Sequence, residues 1–488
     1  MKIILKGKIN RTYVQSLCMM FFHGVKFPIS EENIDSLELY VETCEKEDGI
    51  YCKAVLKDAK KQEIKEAFCR FSNNDSLEKT YKKVVGQAVF LVGCEFTQRT
   101  IDWGILTGIR PSKVAADLLE KYSSEEVIKV LENEYFLNKS KAELVTKIAK
   151  NEMNIVKSTD FSECSIYISI PFCPSRCTYC SFISYAGKKL FSLIPDYIEK
   201  LISDIINVSY IIKDNKLSVR SIYIGGGTPT ILSEEQLEKL LITVNECFDV
   251  DNLEEFTLEG GRPDTITEEK LSIAKKYGIT RISVNPQTLN DTVLQSIGRK
   301  HTVKEFFEAY EKVSKSGITH INTDLIAGLD NDSFESFKQT IDKIIELDPD
   351  NITVHSFCVK KSSQVLEDDK SVYSRENSYA KNSVDYANKA LTLKGYIPYY
   401  MYRQKNTVEN LENIGYAKAD AMGVYNVFMM SDAHTVFGIG AGATTKLVKN
   451  NKNGEKNILR IFSPKYPYEY LRENQNIKER VNDFFEKE

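Results

Sequence analysis

Residues 165–180 read SIYISIPFCPSRCTYC, a short β-branched and aromatic run that ends on three cysteines spaced C-x3-C-x2-C. The run Ser165 to Ile170 has the composition of a strand, and the cysteines Cys173, Cys177 and Cys180 follow it directly. Working outward, five more runs of this kind follow: Ser221 to Ile224, Glu255 to Leu258, Arg281 to Val284, His320 to Leu325 and Asn351 to Phe357. Between them lie amphipathic helical stretches, Ser233 to Cys247, Thr267 to Tyr277, Thr302 to Ser316 and Ser333 to Glu346, each opened by a Ser or Thr suited to capping. This is a parallel β/α repeat. Six units form either an incomplete barrel, open on one side, or a doubly wound sheet, and periodicity alone does not choose.

The polar residues of interest fall at the C-terminal ends of these runs, where parallel β/α folds place their chemistry. The second run ends in Gly225-Gly226-Gly227-Thr228-Pro229, the third in Glu259-Gly260-Gly261 and the fourth in Asn285-Pro286-Gln287, while Asp324 lies near the end of the fifth. One rim gathers them with the cysteines.

On either side the pattern changes. Leu37 to Val41 and Tyr51 to Leu56 alternate like strands about the turn-forming run Glu45 to Gly49, and helical stretches follow, Ser76 to Val92 and Pro111 to Tyr122, with Lys-rich helices to Lys157. After Lys360 comes a charged, Ser-rich linker to Asn377, a helix to Lys394 and a Tyr-, Met- and Asn-rich stretch from Tyr396 to Met430. Gly438 to Ala443, GIGAGA, suits a tight turn against a ligand or another backbone. The expected organisation is an N-terminal extension (1–157, α+β then helical), a β/α core (158–360) and a small C-terminal domain (361–488).

Composition narrows the class. Of 488 residues, 42% are hydrophobic and 27% charged, which supports a buried core and excludes a mainly disordered chain. With 65 Lys and Arg against 69 Asp and Glu, the net charge of -4 offers no global positive excess for nucleic acid or an anionic membrane. The start, MKIILKGK, lacks the apolar run of a signal peptide, and Leu17 to Phe22 is too short to span a bilayer, so the expected compartment is the cytoplasm.

Eleven cysteines, an odd count, do not suit a disulfide framework. Cys18, Cys44, Cys52, Cys69, Cys94, Cys164, Cys247 and Cys358 are scattered and read as packing thiols. For the clustered three, structural zinc would need a fourth ligand, but Cys164 lies beyond the strand and no histidine is near. Three thiolates on one loop can instead hold three irons of a 4Fe-4S cluster and leave the fourth open to a ligand, and Ser181 and Phe182 supply no further cysteine. Gly225 to Thr228 lacks the spacing and lysine of a phosphate-binding loop; close backbone approach to a ligand and a purely structural turn both remain.

FCPSRCTYC and GGGTP resemble the cluster and ligand motifs of the radical S-adenosylmethionine enzymes. More narrowly, YISIPFCPSRCTYC, YIGGGTPT, EGGRPDTI, RISVNPQTLNDTVLQSIGRKH, TDLIAGL and GIGAGATT, in this order, resemble the oxygen-independent coproporphyrinogen III oxidase family, closest to HemZ-type coproporphyrinogen dehydrogenases; WGILTGIRP resembles their N-terminal extension. The resemblance implies an incomplete (β/α)6 barrel, a cluster on Cys173, Cys177 and Cys180, and one or possibly two S-adenosylmethionine molecules. It implies first-cofactor contacts at Tyr167, Gly226, Gly227, Thr228 and Glu259, an aromatic place at Tyr179, and second-cofactor contacts at Gln287, Arg299 and Asp324. Tyr167 and Tyr179 also read as core aromatics, Glu259 as a capping carboxylate, Arg299 as an ion-pair partner and Asp324 as part of a structural network.

The implied activity is oxidative decarboxylation of coproporphyrinogen III to protoporphyrinogen IX, with a tetrapyrrole substrate and an electron donor such as flavodoxin or ferredoxin. Arg262, Arg403, Lys405 and Lys446 are candidate cations for the propionates, by residue type. The family oxidase has a further cysteine where this chain has Phe182, and Pro286 stands where glycine is usual. Two alternatives therefore stand beside the oxidase: a haem-binding chaperone-like protein, for which His355 and His434 are candidate axial ligands, and a radical enzyme acting on haem. Trp103 is the chain's one tryptophan, so the chaperones' H-N-x-x-Y-W motif is absent.

Overall fold

A computed structural model describes the whole chain apart from residues 23–24, 28–36, 73–75, 181–187, 359–377, 405–406, 451–455, 474–476 and 487–488. Its backbone divides into two units: residues 1–150 with Arg403, and most of residues 151–488.

In the first unit, β1 (Lys2–Lys6), β2 (Glu38–Lys46), β3 (Gly49–Lys57) and β4 (Gln62–Arg70) form one sheet in that order, β1 parallel to β2 and the rest antiparallel. Alternate side chains on one face, Leu39, Val41, Ile50, Cys52, Ala54 and Leu56, are buried in a core shared with α1 (Arg11–Phe21) and α2 (Leu77–Thr97). The apolar Leu17 to Phe22 belongs to the buried stripe of α1, and no helix among the described residues is long and apolar enough to cross a membrane.

The second unit is built on six parallel strands in sequence order: β5 (Glu163–Ile170), β6 (Ser218–Gly226), β7 (Glu255–Glu259), β8 (Arg281–Ser283), β9 (His320–Ala327) and β10 (Asn351–Ser356). Ile166, Ile168, Ile222, Ile224, Phe256 and Leu258 are fully buried, each contributing about 2 kcal/mol relative to exposure. The connecting helices include α3 (Ile194–Asp214), α4 (Glu234–Cys247), α5 (Glu268–Lys276), α6 (Val303–Lys315) and α7 (Phe334–Leu347). Ser233, Thr267, Thr302 and Ser333 cap the last four, with reciprocal bonds from Gln236 and Glu305 at α4 and α6. Each cap satisfies an otherwise orphaned amide and is worth about 1 kcal/mol.

The sheet continues beyond the repeat. After α8 (Ser378–Leu393), β11 (Ile397–Arg403) and β12 (Glu412–Ala417) extend it past β10, while β13 (Thr435–Ile439), β14 (Thr444–Asn450) and β15 (Lys456–Phe462) extend it past β5. The eleven strands run in the order β11-β12-β10-β9-β8-β7-β6-β5-β13-β14-β15, with no pairing that joins the two ends among the described residues, so the barrel is incomplete. β5 to β10 lie in sequence order without the reversal of a doubly wound sheet, which chooses the open barrel.

Sequence reading missed β11 to β15: all six residues of β12 and all five of β13 are buried, so neither alternates, and β15 has a single buried residue. The GIGAGA run turns against another backbone. Gly440 has φ +102°, and a Cβ there would meet the Ser169 carbonyl of β5 at 2.8 Å. The expected linker 361–377 lies outside the described residues. Cys44 departs from the packing expectation: it is exposed, whereas Cys18, Cys52, Cys69, Cys164 and Cys358 are buried.

Candidate functional site

The chain leaves β5 at Ile170 and folds over the end of the barrel as the cysteine loop. The glycine-rich turn of β6 runs beside it: the N–H groups of Gly227 and Thr228 donate to the carbonyls of Ile170 and Phe172, both at 2.8 Å. A Cβ at Gly227 would meet the Phe172 backbone at 2.5 Å, so only glycine permits this approach. Thr228 is fully buried and places its Oγ1 3.3 Å from Cys173 Sγ. The rest of the loop is braced by the segment after β8, where Thr178 N–H donates to Ile297 and Ser175 to Gly298.

Cys173 and Cys177 are buried and Cys180 is half-buried. Arg262 directs its Nη1 at Cys177 Sγ, 3.4 Å away. The donor set fits a 4Fe-4S cluster: three thiols on one short loop, with a buried cation against one sulfur. No three His, Cys, Asp or Glu side chains among the described residues close on a single metal ion.

Glu259 ends β7 facing the glycine turn. Its Oε2 accepts the Gly226 N–H at 3.2 Å. Burial, reinforced by the charge of Asp324, pushes its carboxyl up to about 8. The Gly226 bond and the charge of Arg299 offset this only in part, as expected of a carboxyl that meets a ligand.

Asp324 and Asn285 are reciprocally paired: Asn285 Nδ2 donates to Asp324 Oδ2 at 2.8 Å, and the Asp324 N–H to Asn285 Oδ1 at 3.1 Å. Gln287 sits across from them with φ +69°, held there because its N–H donates to the Asp324 carbonyl and its carbonyl accepts from Ile326. Its side chain is buried, yet Oε1 has no hydrogen-bond partner. A buried acceptor without a donor is costly in the ligand-free chain and fits a group held for a ligand. Arg299, buried, donates to the carbonyls of Gly261 and Asn285 at 3.1 and 2.9 Å and to the Tyr179 hydroxyl at 3.3 Å. It is a brace between the cysteine loop and the ends of β7 and β8, rather than a surface ion-pair partner.

Tyr167 forms part of a stack that sequence reasoning did not assemble. Its ring lies 6.1 Å from both Tyr223 and Tyr425, which are 4.7 Å apart and 21° from parallel. Burial, with the charge of Glu259, raises the hydroxyls of Tyr167 and Tyr223 above their ordinary value. A signal was available: SIYI occurs at both 165–168 and 221–224, and the two copies pair in register in β5 and β6, Tyr167 against Tyr223. Tyr425, on α9 (Val424–Met430), had none.

The expected propionate cations are engaged elsewhere. Lys446 is buried and donates to the carbonyls of Phe428 and Met429, at 2.7 and 3.1 Å, and to Ser431, closing the C-terminal end of α9. Arg403 lies over the Trp103 ring at 5.1 Å. Lys405 and Phe182 lie outside the described residues. Of the histidines, His434 is held between Ser165, at 2.9 Å, and the face of Phe428, at 4.2 Å, and burial pushes it down to about 3. His355 bonds to Tyr402 at 3.1 Å and lies 4.0 Å from Asp324.

A partial parallel barrel whose first strand opens into a three-cysteine loop beside a glycine turn is the fold of the radical SAM enzymes, and the Radical SAM superfamily model matches residues 167–344. The chain is 35% identical over 415 residues to the oxygen-independent coproporphyrinogen-III oxidase-like protein HemZ of Bacillus subtilis, covering 83% of this chain and 82% of that one. It belongs to the radical SAM superfamily and, within it, to the HemZ-like family of oxygen-independent coproporphyrinogen III oxidase-like proteins. It is also 36% identical over 197 residues to the heme chaperone HemW of Bacillus subtilis, covering 40% of this chain and 51% of that one. In fold it matches the coproporphyrinogen III oxidase HemN of Escherichia coli, with a TM-score of 0.53 and 20% identity over 68% of this chain and 73% of that one. The family uses a 4Fe-4S cluster and S-adenosylmethionine.

Proposed function

We propose that this chain catalyses the oxygen-independent oxidative decarboxylation of two propionates of coproporphyrinogen III to vinyl groups. The observation that carries the reading is likeness to the HemZ protein over most of both chains, with the cysteine loop, the glycine turn and the Asp324–Gln287 pair on one rim. When bound, cluster and S-adenosylmethionine supply a radical able to remove hydrogen from an unactivated C–H bond. At each propionate a β-hydrogen atom leaves, then carbon dioxide and one electron, which passes to an acceptor.

Cys173, Cys177 and Cys180 would hold the cluster. Gly226, Gly227, Thr228 and Glu259 would hold the methionyl and ribose parts of the cofactor beside the Tyr167 ring. Arg299, through Tyr179, would keep the loop against the rim. Gln287 and Asp324 would offer an acceptor and a carboxylate to a second ligand. Residues 361–488 would face the substrate, supported by Tyr425, which stacks on Tyr223.

A second reading, haem binding, is favoured by the match to the heme chaperone HemW. His434 does not serve it: its ring is enclosed between Ser165 and Phe428. One anaerobic assay separates the readings. Reconstituted protein receives reductant, S-adenosylmethionine and coproporphyrinogen III, and vinyl product and 5'-deoxyadenosine are both measured. Both products support the dehydrogenase. Deoxyadenosine without vinyl product sinks it while keeping the radical chemistry, and stable haem binding with neither product favours the chaperone. Cluster retention after Ala substitution of Cys173, Cys177 and Cys180 would overturn the cluster assignment itself.

A further inference from the structure

Arg262 is expected from its type to meet a substrate carboxylate, but the structure gives all three of its guanidinium nitrogens to other partners. Nε donates to Asp264 Oδ1 at 3.3 Å, Nη2 to Ser175 Oγ at 2.8 Å and Nη1 to Cys177 Sγ at 3.4 Å. The side chain is 4% exposed. Each of the three nitrogens thus has a partner within the protein.

The local backbone is built to bring the guanidinium under the cysteine loop. Gly261 turns with φ +58°, and a Cβ on Gly260 would meet the Ser283 carbonyl at 2.4 Å, so the chain leaves β7 along a path that side chains would block. Behind the turn, Thr230 donates to the Gly260 carbonyl at 2.9 Å, and Thr265 donates to the Arg262 carbonyl at 2.9 Å. The single turn Pro263–Thr265 follows. These bonds fix the Arg262 main chain, and Asp264 fixes its side chain from the side opposite Cys177.

We infer that Arg262 is a positioning residue that sets the reduction potential of the cluster through its hydrogen bond to the Cys177 sulfur. The inference rests on the reading that Cys173, Cys177 and Cys180 hold the cluster. Accepting one electron adds one negative charge to the iron–sulfur unit, partly carried on its thiolates. A buried guanidinium donating to one of them favours the reduced form, because the surrounding protein screens the interaction weakly. A free thiol asks for no cation, so a buried arginine aimed at Cys177 is explained by a sulfur that carries charge. Arg299 lies near the same loop and its charge also acts on Cys173 and Cys177, but its nitrogens donate to carbonyls and to the Tyr179 hydroxyl, whereas Arg262 donates directly to the Cys177 sulfur.

The test uses the full chain, reconstituted anaerobically without S-adenosylmethionine, in four forms: wild type, R262Q, R262K and S175A. Iron content and the cluster's absorption and spin-resonance spectra report assembly; a mediated redox titration reports the midpoint potential. Arg262→Gln removes the charge on the sulfur, and its ratio of reduced to oxidised cluster at a fixed potential should fall about tenfold, a shift of about 59 mV downward for one electron. Ser175→Ala removes a brace of the loop and the Nη2 partner of Arg262 but leaves the charge and the Nη1 bond to sulfur, so its potential should shift much less than that of R262Q.

A potential unchanged in R262Q with full iron content overturns the inference, as does an equal shift in S175A. Where R262Q does not assemble, R262M replaces it: a potential below wild type supports the inference, and coincidence with wild type overturns it, while R262K, which keeps the charge, should lie between the neutral variant and wild type. Failure of the wild type itself to bind a cluster would instead overturn the reading of the cysteines.

Discussion

The Gly226 N–H donates to the Glu259 carboxylate at 3.2 Å, which joins the glycine turn of β6 to the acidic residue that ends β7. This bond places a backbone loop and a raised carboxyl on the same ligand-facing wall. It also makes the neighbouring glycines unequal.

A Cβ at Gly227 would strike the Phe172 backbone at 2.5 to 2.9 Å, whereas one at Gly225 would meet the Tyr223 ring and the Glu259 carboxylate, at 2.5 and 2.6 Å. Side chains can move and the backbone of the cysteine loop cannot without displacing Cys173. Gly227→Ala is therefore expected to cost about 3 kcal/mol in chemical denaturation and to lower iron retention, and Gly225→Ala about 1 kcal/mol with iron retained. Equal effects of the two would count against the close approach of turn and loop.

Glu259 combines a raised carboxyl, about 8 against an ordinary 4.5, with a place at the site. The folded chain binds its proton more tightly than the unfolded chain does, so folding stability is present in full below pH 4.5 and is lost as pH rises toward 8. Glu259→Gln removes that loss. The variant should gain stability over the wild type across this window, on the order of 4 kcal/mol at saturation. Above pH 8, where the wild-type carboxyl is ionised, it should also bind S-adenosylmethionine about tenfold more weakly, since a charged acceptor is gone. Gain in stability with loss of affinity, read by denaturation and calorimetry, is the signature of a site residue.

His434 gives the opposite sign. Burial, with the nearby charges of Lys446 and Arg220, pushes it down to about 3 from 6.5, so the unfolded chain binds its proton first and stability is lost as pH falls through that window. His434→Phe retains the stack on Phe428 and removes the titration. Between pH values of about 4 and 6.5 its stability should fall less steeply than that of the wild type. Haem affinity, if the chain has any, should be unchanged by the substitution.

Lys446 closes the end of α9 with donors to Phe428, Met429 and Ser431. Lys446→Met would leave buried carbonyls unsatisfied and should destabilise the chain by about 2–3 kcal/mol. The substrate KM of the folded fraction should stay within about twofold, because the ammonium is not on the rim. A large rise in KM with unchanged stability would restore the lysine as a propionate partner.

The β/α core was legible because its signals are local. Strand composition, capping residues such as Ser233 and Thr302, and glycines before Thr228 each act within a few residues, and each recurs at the expected place. That Cys173, Cys177 and Cys180 share one loop after β5 was legible for the same reason, their spacing being short. β12 and β13 were not, because strands buried throughout carry no period that separates them from other apolar runs.

By itself the amino-acid order determined the parallel repeat, the cysteine loop and the set of rim residues, all properties of short windows. Tertiary structure alone decided that the barrel stays open, that GIGAGA packs on β5, that Lys446 closes a helix, and that Arg262 serves the cysteine loop. Arg262 and Cys177 are 85 positions apart, and Tyr167 and Tyr425 stack across a still longer interval. Such pairs form only when the whole sheet brings its strand ends to one rim, so no local propensity records them.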